Sequence, residues 1–299
     1  MDVYCTDLSL AASEPLAGTA ASADRFLVLE HAVPWGPKGV DDSGLPEAVV
    51  AHLAALGKRH RRARVQLVRR PERARSESVR LFLATSEERT QQLTSLTLPD
   101  LDALRALDLE PWLRGEAPPP GTPETEPLYL VCVHGKRDRC CARLGMPVYR
   151  GLGERVGERA LQTTHLGGHR FAATLLVLPQ GLCYGRVLAS EVDALVEATE
   201  RGEIYDLGRL RGRTAYASEA QAGEIALREQ LGERRSAALQ LAESTREGEA
   251  FRVSFVEVAS GRTHETRIVR EAQPPMPQSC GAAPKPSERL VTLKTSAAG

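Results

Sequence analysis

An α/β fold in two similar units, followed by an α+β region, is what this sequence predicts. Three observations lead there. Short apolar runs such as "RFLVLE", "RVQLV" and "LYLVCV" alternate with segments whose apolar residues recur at helical spacing. The order of these elements repeats on either side of residues 114–127. That stretch, "RGEAPPPGTPETEP", has no large apolar residue and the Pro, Gly, Thr and Glu content of a linker.

Residues 1–23 are small and polar and predict a flexible N-terminus. The first unit spans 24–113. "RFLVLE" reads as a buried strand, and the Gly-, Pro- and Asp-rich "HAVPWGPKGVDDSG" as a loop. "LPEAVVAHLAALGKRH" places Val49, Leu53 and Leu56 on one helix face, with Pro46 suited to its first turn. "RVQLV" and "SVRLFLA" are two strands joined by the basic loop "RRPERARSE", and "LPDLDALRAL" is a short closing helix. The second unit spans 128–205. "LYLVCV" is a strand, "CARLGMPVYRGLGERV" a helix weakened by Gly and Pro, and "LQTTHL" a short strand. "FAATLLVLPQGLCYGRV" is a hairpin turning at Pro179–Gly181. "SEVDALVEATERG" is a helix with Ser190 as N-cap and Gly202 at its end. The shared order suggests a duplication in which only the second copy bears a site. Residues 206–299 predict two helices, "SEAQAGEIALREQLG" and "RRSAALQLAESTREG", a hairpin in "FRVSFVEVASGRTHETRIVR", and a tail that is mostly loop with one last strand. Helices ahead of a hairpin would suit a winged-helix module, on order alone.

Composition bounds the function. The 299 residues suffice for two or three domains, and 42% hydrophobic with 26% charged residues is globular. With 39 acids and 39 bases the formal net charge is zero, so nothing in the whole-chain charge favours nucleic acid or an anionic membrane. No apolar run approaches the roughly 20 residues of a membrane span. The N-terminus has an acid at position 2 and no basic region, unlike a secretory signal. A cytoplasmic protein is therefore expected, in which thiols stay reduced and clustered cysteines bind metal or do redox chemistry.

The chemistry concentrates in "VCVHGKRDRCCARLG" and "THLGGHRFAA". Cys132 ends a strand, and Cys141, eight residues beyond it, opens a helix whose peptide dipoles favour thiolate. His165 and His169 flank "LGG", where the two glycines oppose a helix and allow positive φ. A zinc-protease pair at this spacing would need a helix and an intervening Glu. Thiolate and imidazole together suit iron or zinc. Taken singly, each cysteine reads equally as a small buried hydrophobe.

"VCVHGKRDRCCARLG" followed by "THLGGHRFAATLLVLPQGLCYGRV" resembles the sucrase/ferredoxin-like family, most closely over 128–188. The resemblance implies a thioredoxin-like ferredoxin domain holding a [2Fe–2S] cluster; the cysteine-free unit before it shares its element order. It implies the family's bis-histidinyl branch, in which Cys132 and Cys141 bind one iron and His165 and His169 the other. One-electron transfer or redox sensing would follow, with a partner reductase or electron acceptor and no substrate pocket. Neutral imidazoles in place of thiolates would raise the potential toward the range of about −150 to +300 mV of Rieske centres.

Two other readings stay open: a structural zinc site of two Cys and two His, and a thiol redox protein using Cys132, Cys140 or Cys141. The latter lacks C-x-x-C, and adjacent cysteines rarely form an unstrained disulfide. Cys140 is an alternative ligand to Cys141, and His134 and Arg139 are candidate donors to cluster sulfur. Cys183 reads as core, while Cys5 and Cys280 have no partner at metal spacing. "WGPKG" at 35–39 has no phosphate-loop pattern, and "RRPERAR" at 69–75 reads as a solvated hairpin tip. No Ser-His-Asp order and no carboxylate pair suggests hydrolytic or acid–base catalysis.

Overall fold

The computed structural model describes residues 4–70 and 78–297; the basic segment at 71–77 lies outside the described residues. Helix α1 (Cys5–Ala11) is followed by β1 (Arg25–Glu30), α2 (Glu47–Arg59), β2 (Ala63–Arg69), β3 (Val79–Ser86) and β4 (Gln91–Leu98). The short helices α3 (Ala103–Ala106) and α4 (Glu110–Leu113) and the two-residue β5 (Thr122–Pro123) lead to β6 (Leu128–Cys132). Then come α5 (Arg139–Val156), β7 (Ala160–Thr163), β8 (Leu175–Leu178), β9 (Leu182–Tyr184), α6 (Val192–Glu200) and β10 (Leu210–Arg213). The chain closes with α7 (Ser218–Leu231), β11 (Leu239–Glu247), β12 (Ala250–Glu257), β13 (Thr263–Pro277) and β14 (Pro284–Ala297).

The first ten strands form one sheet in the order β10-β9-β8-β6-β7-β2-β1-β3-β4-β5. β1 runs parallel to β2 and antiparallel to β3, which pairs antiparallel with β4. β6 repeats this with β7, β8 and β9. Both units are thus β-α-β-β-β with the second strand outermost, and they meet where β2 pairs antiparallel with β7 through Val68↔Thr163 and Arg69↔Gln162. The expected repetition of element order is present as a repetition of strand pairing.

Alternation along the strands gives the sheet two buried faces. Leu27, Leu29, Tyr129 and Val131 face the helices, packing with Val49, Leu53 and Leu56 of α2 and Val148, Tyr149, Leu152 and Val156 of α5. Phe26, Val28, Leu128, Leu130 and Cys132 face the other way, into a core that includes Ala20 and Ala23. α5 stays continuous through Pro147 because its buried stripe, Gly145 through Val156, packs against this sheet. At Gly145 a Cβ would collide with the Cys132 carbonyl oxygen, so the helix rests directly on the end of β6.

Several expectations change. The segment ahead of β1 is not loose: α1 is helical and buries Cys5, Thr6 and Ser9. The stretch at 114–127 contributes β5 to the sheet edge, pairing with β4. The sheet also runs on to β10, past the boundary set at 205. Residues 91–98 form β4, absent from the sequence reading. Residues 239–247, read as helix, form β11; its Ala, Leu and Glu favour a helix, but pairing with β12 overrides that local preference. The tail is a long hairpin of β13 and β14, so β11 to β14 make a four-stranded antiparallel sheet under α7 rather than a winged helix. Ser190 lies inside a single 3₁₀ turn, and the Leu188 N–H is taken by the Glu191 carboxylate at 2.8 Å.

α7 is held to the sheet by buried charge. Glu224 accepts from Arg228 at 2.9 Å and from Arg213 of β10 at 3.3 Å, and both arginines reach the Ser236 carbonyl. Burial opposes ionisation of Glu224, but the two guanidinium groups outweigh it and hold its pKa below the ordinary value. No helix among the described residues is long and apolar enough to cross a membrane.

Candidate metal centre

Cys132 is the last residue of β6 and fully buried on the face away from the helices. The chain then turns through His134 to Asp138, the N-cap of α5, whose carboxylate accepts the Cys140 N–H at 2.9 Å. Capping fixes the first turn of α5 and, with it, where the two adjacent cysteines point. Being neighbours on a helix, they diverge. Cys141 joins the apolar core beside Cys132, while Cys140 turns into a separate group with Cys5.

β7 delivers the histidines. After Thr163 the chain leaves the sheet through His165, passes Gly167 (φ 96°) and Gly168 (φ 69°), and makes a single 3₁₀ turn at His169–Phe171. The two glycines supply the left-handed conformations that a helix would forbid, so the histidines sit on a loop. This loop is pinned from outside its own unit: Arg64 of β2 donates to the His165 carbonyl at 3.0 Å, and buried Arg211 of β10 donates to the Gly167 carbonyl at 2.8 Å. Both arginines are distant in the chain from the cysteine and histidine motifs, and sequence reasoning missed them.

The structure brings Cys132, Cys141 and His165 together, with their ligand atoms all within 4.8 Å of one another. Cys132 Sγ lies 4.0 Å from His165 Nδ1. His169 falls outside that set but stacks on His165, the rings 4.0 Å apart and inclined by 17°. Its Nδ1 is buried with no hydrogen-bond partner among the described residues. A buried nitrogen left unsatisfied is costly unless something fills its place.

The electrostatics are compatible with a metal. Cys132 is held well below the usual thiol value, first by the Cys141 S–H donating to it, then, against the opposing effect of burial, by His165 and the His134 backbone N–H. Cys141 is pushed up by giving that hydrogen bond and by burial. The two sulfurs are thus linked by a hydrogen bond that a cation would replace. Burial, reinforced by His165, lowers His169 to about 4, so its imidazole is neutral and keeps a lone pair for a ligand role. The donor set of two sulfurs and two imidazoles fits iron or zinc.

The secondary candidates have other employment. His134 bonds the Gly36 carbonyl at 2.7 Å and meets Trp35 edge-on, which gives "WGPKG" a structural role. The Arg139 guanidinium lies over the Tyr4 ring. Cys183 is core, 3.7 Å from Arg211. Cys5 and Cys280, read as partnerless, converge on Cys140. They stand 135 and 140 residues from it, and no local spacing could have signalled this.

The family model for sucrase/ferredoxin-like proteins matches residues 16–212. Among curated proteins, the chain is similar to Altered inheritance of mitochondria protein 32 of Meyerozyma guilliermondii, 29% identical over 98 residues. That match covers 29% of this chain and 35% of the relative. No solved structure matches.

Proposed function

The chain belongs to the sucrase/ferredoxin-like family, and from that premise we propose that it is an electron-transfer or redox-sensing protein carrying one [2Fe–2S] cluster on Cys132, Cys141, His165 and His169. The observation that carries this reading is the convergence of Cys132, Cys141 and His165 beside a His169 whose buried Nδ1 has no partner among the described residues. The strand order of each unit, second-first-third-fourth, supports a thioredoxin-like assignment. Bound there, such a cluster supplies one-electron transfer.

The residues divide the work. Cys132 and Cys141 sit in an apolar core and keep water from the sulfur side. His165 and His169 are half-buried and form the side nearer solvent. Arg64 and Arg211 fix the loop and add positive charge near Cys132, which favours the reduced, more negative state. A 400 Å³ opening beside His165 is lined by Lys38, Arg64 and Arg137 as well as Asp41. Its basic residues suit an acidic face on a partner reductase or acceptor protein.

A mononuclear zinc site is the second reading, favoured by one observation: three donors already lie within 4.8 Å of one another, a tight set for a single ion. Anaerobic purification with iron, sulfide and zinc analysis and a visible spectrum decides. A red-brown protein with iron and sulfide in equal amounts supports the cluster; zinc at these residues without sulfide, in colourless protein, overturns it. His165→Cys sharpens the assignment. It should keep the colour, lower the potential and weaken its pH dependence, because a neutral protonatable ligand becomes an anionic thiolate. Unchanged electrochemistry at two pH values would remove His165 from the site.

A further inference from the structure

A second group of donors lies next to the first and shares none of its residues. Cys5 of α1, Cys140 of α5 and Cys280 of the turn between β13 and β14 bring their sulfurs together. The Sγ separations are 3.6 Å for Cys5–Cys140, 3.3 Å for Cys140–Cys280 and 3.7 Å for Cys5–Cys280. These are far longer than a disulfide bond of about 2.0 Å. They approach the edge of a thiolate tetrahedron around zinc, about 3.8 Å for Zn–S bonds of about 2.3 Å. Three thiols from three separate elements thus point their sulfurs at one point, inside a small cluster closed by Ala172.

The surroundings hold the sulfurs in place. Asp138 is buried, and its carboxylate takes the backbone N–H groups of Cys140 at 2.9 Å and Cys280 at 2.8 Å and the Ser279 hydroxyl at 2.7 Å. It therefore orients two of the three cysteines. The Cys5 thiol reaches this carboxylate only at long range, 3.8 and 3.9 Å, a contact that a cation would replace. Arg143 donates to the Thr6 hydroxyl at 3.0 Å, and that hydroxyl lies 3.3 Å from Cys140 Sγ and 3.2 Å from the Asp7 carboxylate, which share its proton. Cys140 also occupies the first turn of α5, where peptide dipoles favour a thiolate. Cys5 and Cys140 are buried, while Cys280 is half-buried and leaves a way in.

We propose that Cys5, Cys140 and Cys280, with a carboxylate oxygen of Asp138, form a second metal site, for zinc. Binding releases the thiol protons to solvent and makes three sulfur–zinc bonds with no change of oxidation state. The ion would staple α1 and the β13–β14 hairpin onto the helix that carries Cys141. The site is independent of the iron–sulfur reading.

The test is a metal count on full-length protein made with both iron and zinc present and purified anaerobically. Wild type should hold one zinc per chain at this site, as a closed structural site does. Cys5→Ser and Cys280→Ser should lose it and keep their iron, whereas Cys132→Ser should lose iron and keep zinc. If the first centre itself proves to hold zinc, Cys280→Ser still lowers the count by one, so the two readings fail separately. Cobalt titration of Cys132→Ser guards against misfolded variants. It should give a sulfur-to-cobalt charge-transfer band, weakened about tenfold or more when Cys280→Ser is added. Zinc-free wild type together with no such band overturns the proposal. So does a mass deficit of about two hydrogens in unreduced protein, which would mark a disulfide among these residues.

Discussion

The two halves of the large sheet share one strand pairing and differ in what their loops carry. After β1 the chain runs through His31, buried and bonded to the Ser43 carbonyl at 2.9 Å, and then through a long loop to α2. After β6 it turns at once into α5 and presents Cys141 to Cys132. After β7 comes the two-glycine histidine loop. The outer edges differ as well. The second half is extended by β10 and braced through Arg213 and Glu224 to α7, whereas the first ends in the two residues of β5. The pairing pattern alone therefore makes no site. The donors come from the connections, as is usual where a rigid scaffold positions functional loops.

The contrast is open to direct attack. Cys132→Ser or Cys141→Ser should abolish metal binding at the first centre, read as lost iron and lost visible absorbance. Retained iron at full stoichiometry would mean that the asymmetry between halves lies elsewhere. Glu224→Gln tests the bracing. It strands two buried guanidinium groups and should cost about 3–5 kcal/mol in denaturant unfolding. The sign with pH follows from a native pKa held below the ordinary 4.5. The stabilisation is fully present above that value and is lost as pH falls through the native pKa, so the variant should show a flatter acid limb.

Smaller effects compare the two crossover helices. Gly145→Ala drives a methyl into the Cys132 carbonyl and should cost about 1–3 kcal/mol. Gly57→Ala in α2 faces open space and should stabilise by up to about 1 kcal/mol. A Gly145→Ala variant that melts no lower than wild type would contradict the tight seating of α5. Smallest is His31→Ala, which removes one buried hydrogen bond worth about 1 kcal/mol. Metal content should not change, and a loss of iron there would make the first half part of the centre.

What the sequence displayed was whatever physics writes locally. β1 and β6 are plain apolar runs, α2 carries helical periodicity, and the Gly167–Gly168 pair announced a loop because only glycine takes those angles cheaply. β4 stayed hidden because "TQQLTSLTL" is largely polar on a strand near the sheet edge. The tail was hidden by its prolines, which an edge hairpin tolerates. Within the site, Cys132, Cys141 and His165 were legible from motif and strand ends. The roles of Arg64, Arg211, Cys5 and Cys280 were not, since each arrives from an element remote in sequence and is placed only by the finished fold.

The seam between β2 and β7 has a consequence for how such a chain comes to exist. Each is the outer strand of its own unit, and they meet antiparallel, so the units are related by an approximate two-fold axis through the sheet. That is the geometry of an isologous contact between identical subunits, in which one patch pairs with its own copy. A single unit standing alone would leave this strand edge open to any passing chain. Here the polypeptide supplies its own second subunit. Within one chain the symmetry need not be kept: the loops of one unit bring Cys132, Cys141 and His165 together, while those of the other pack.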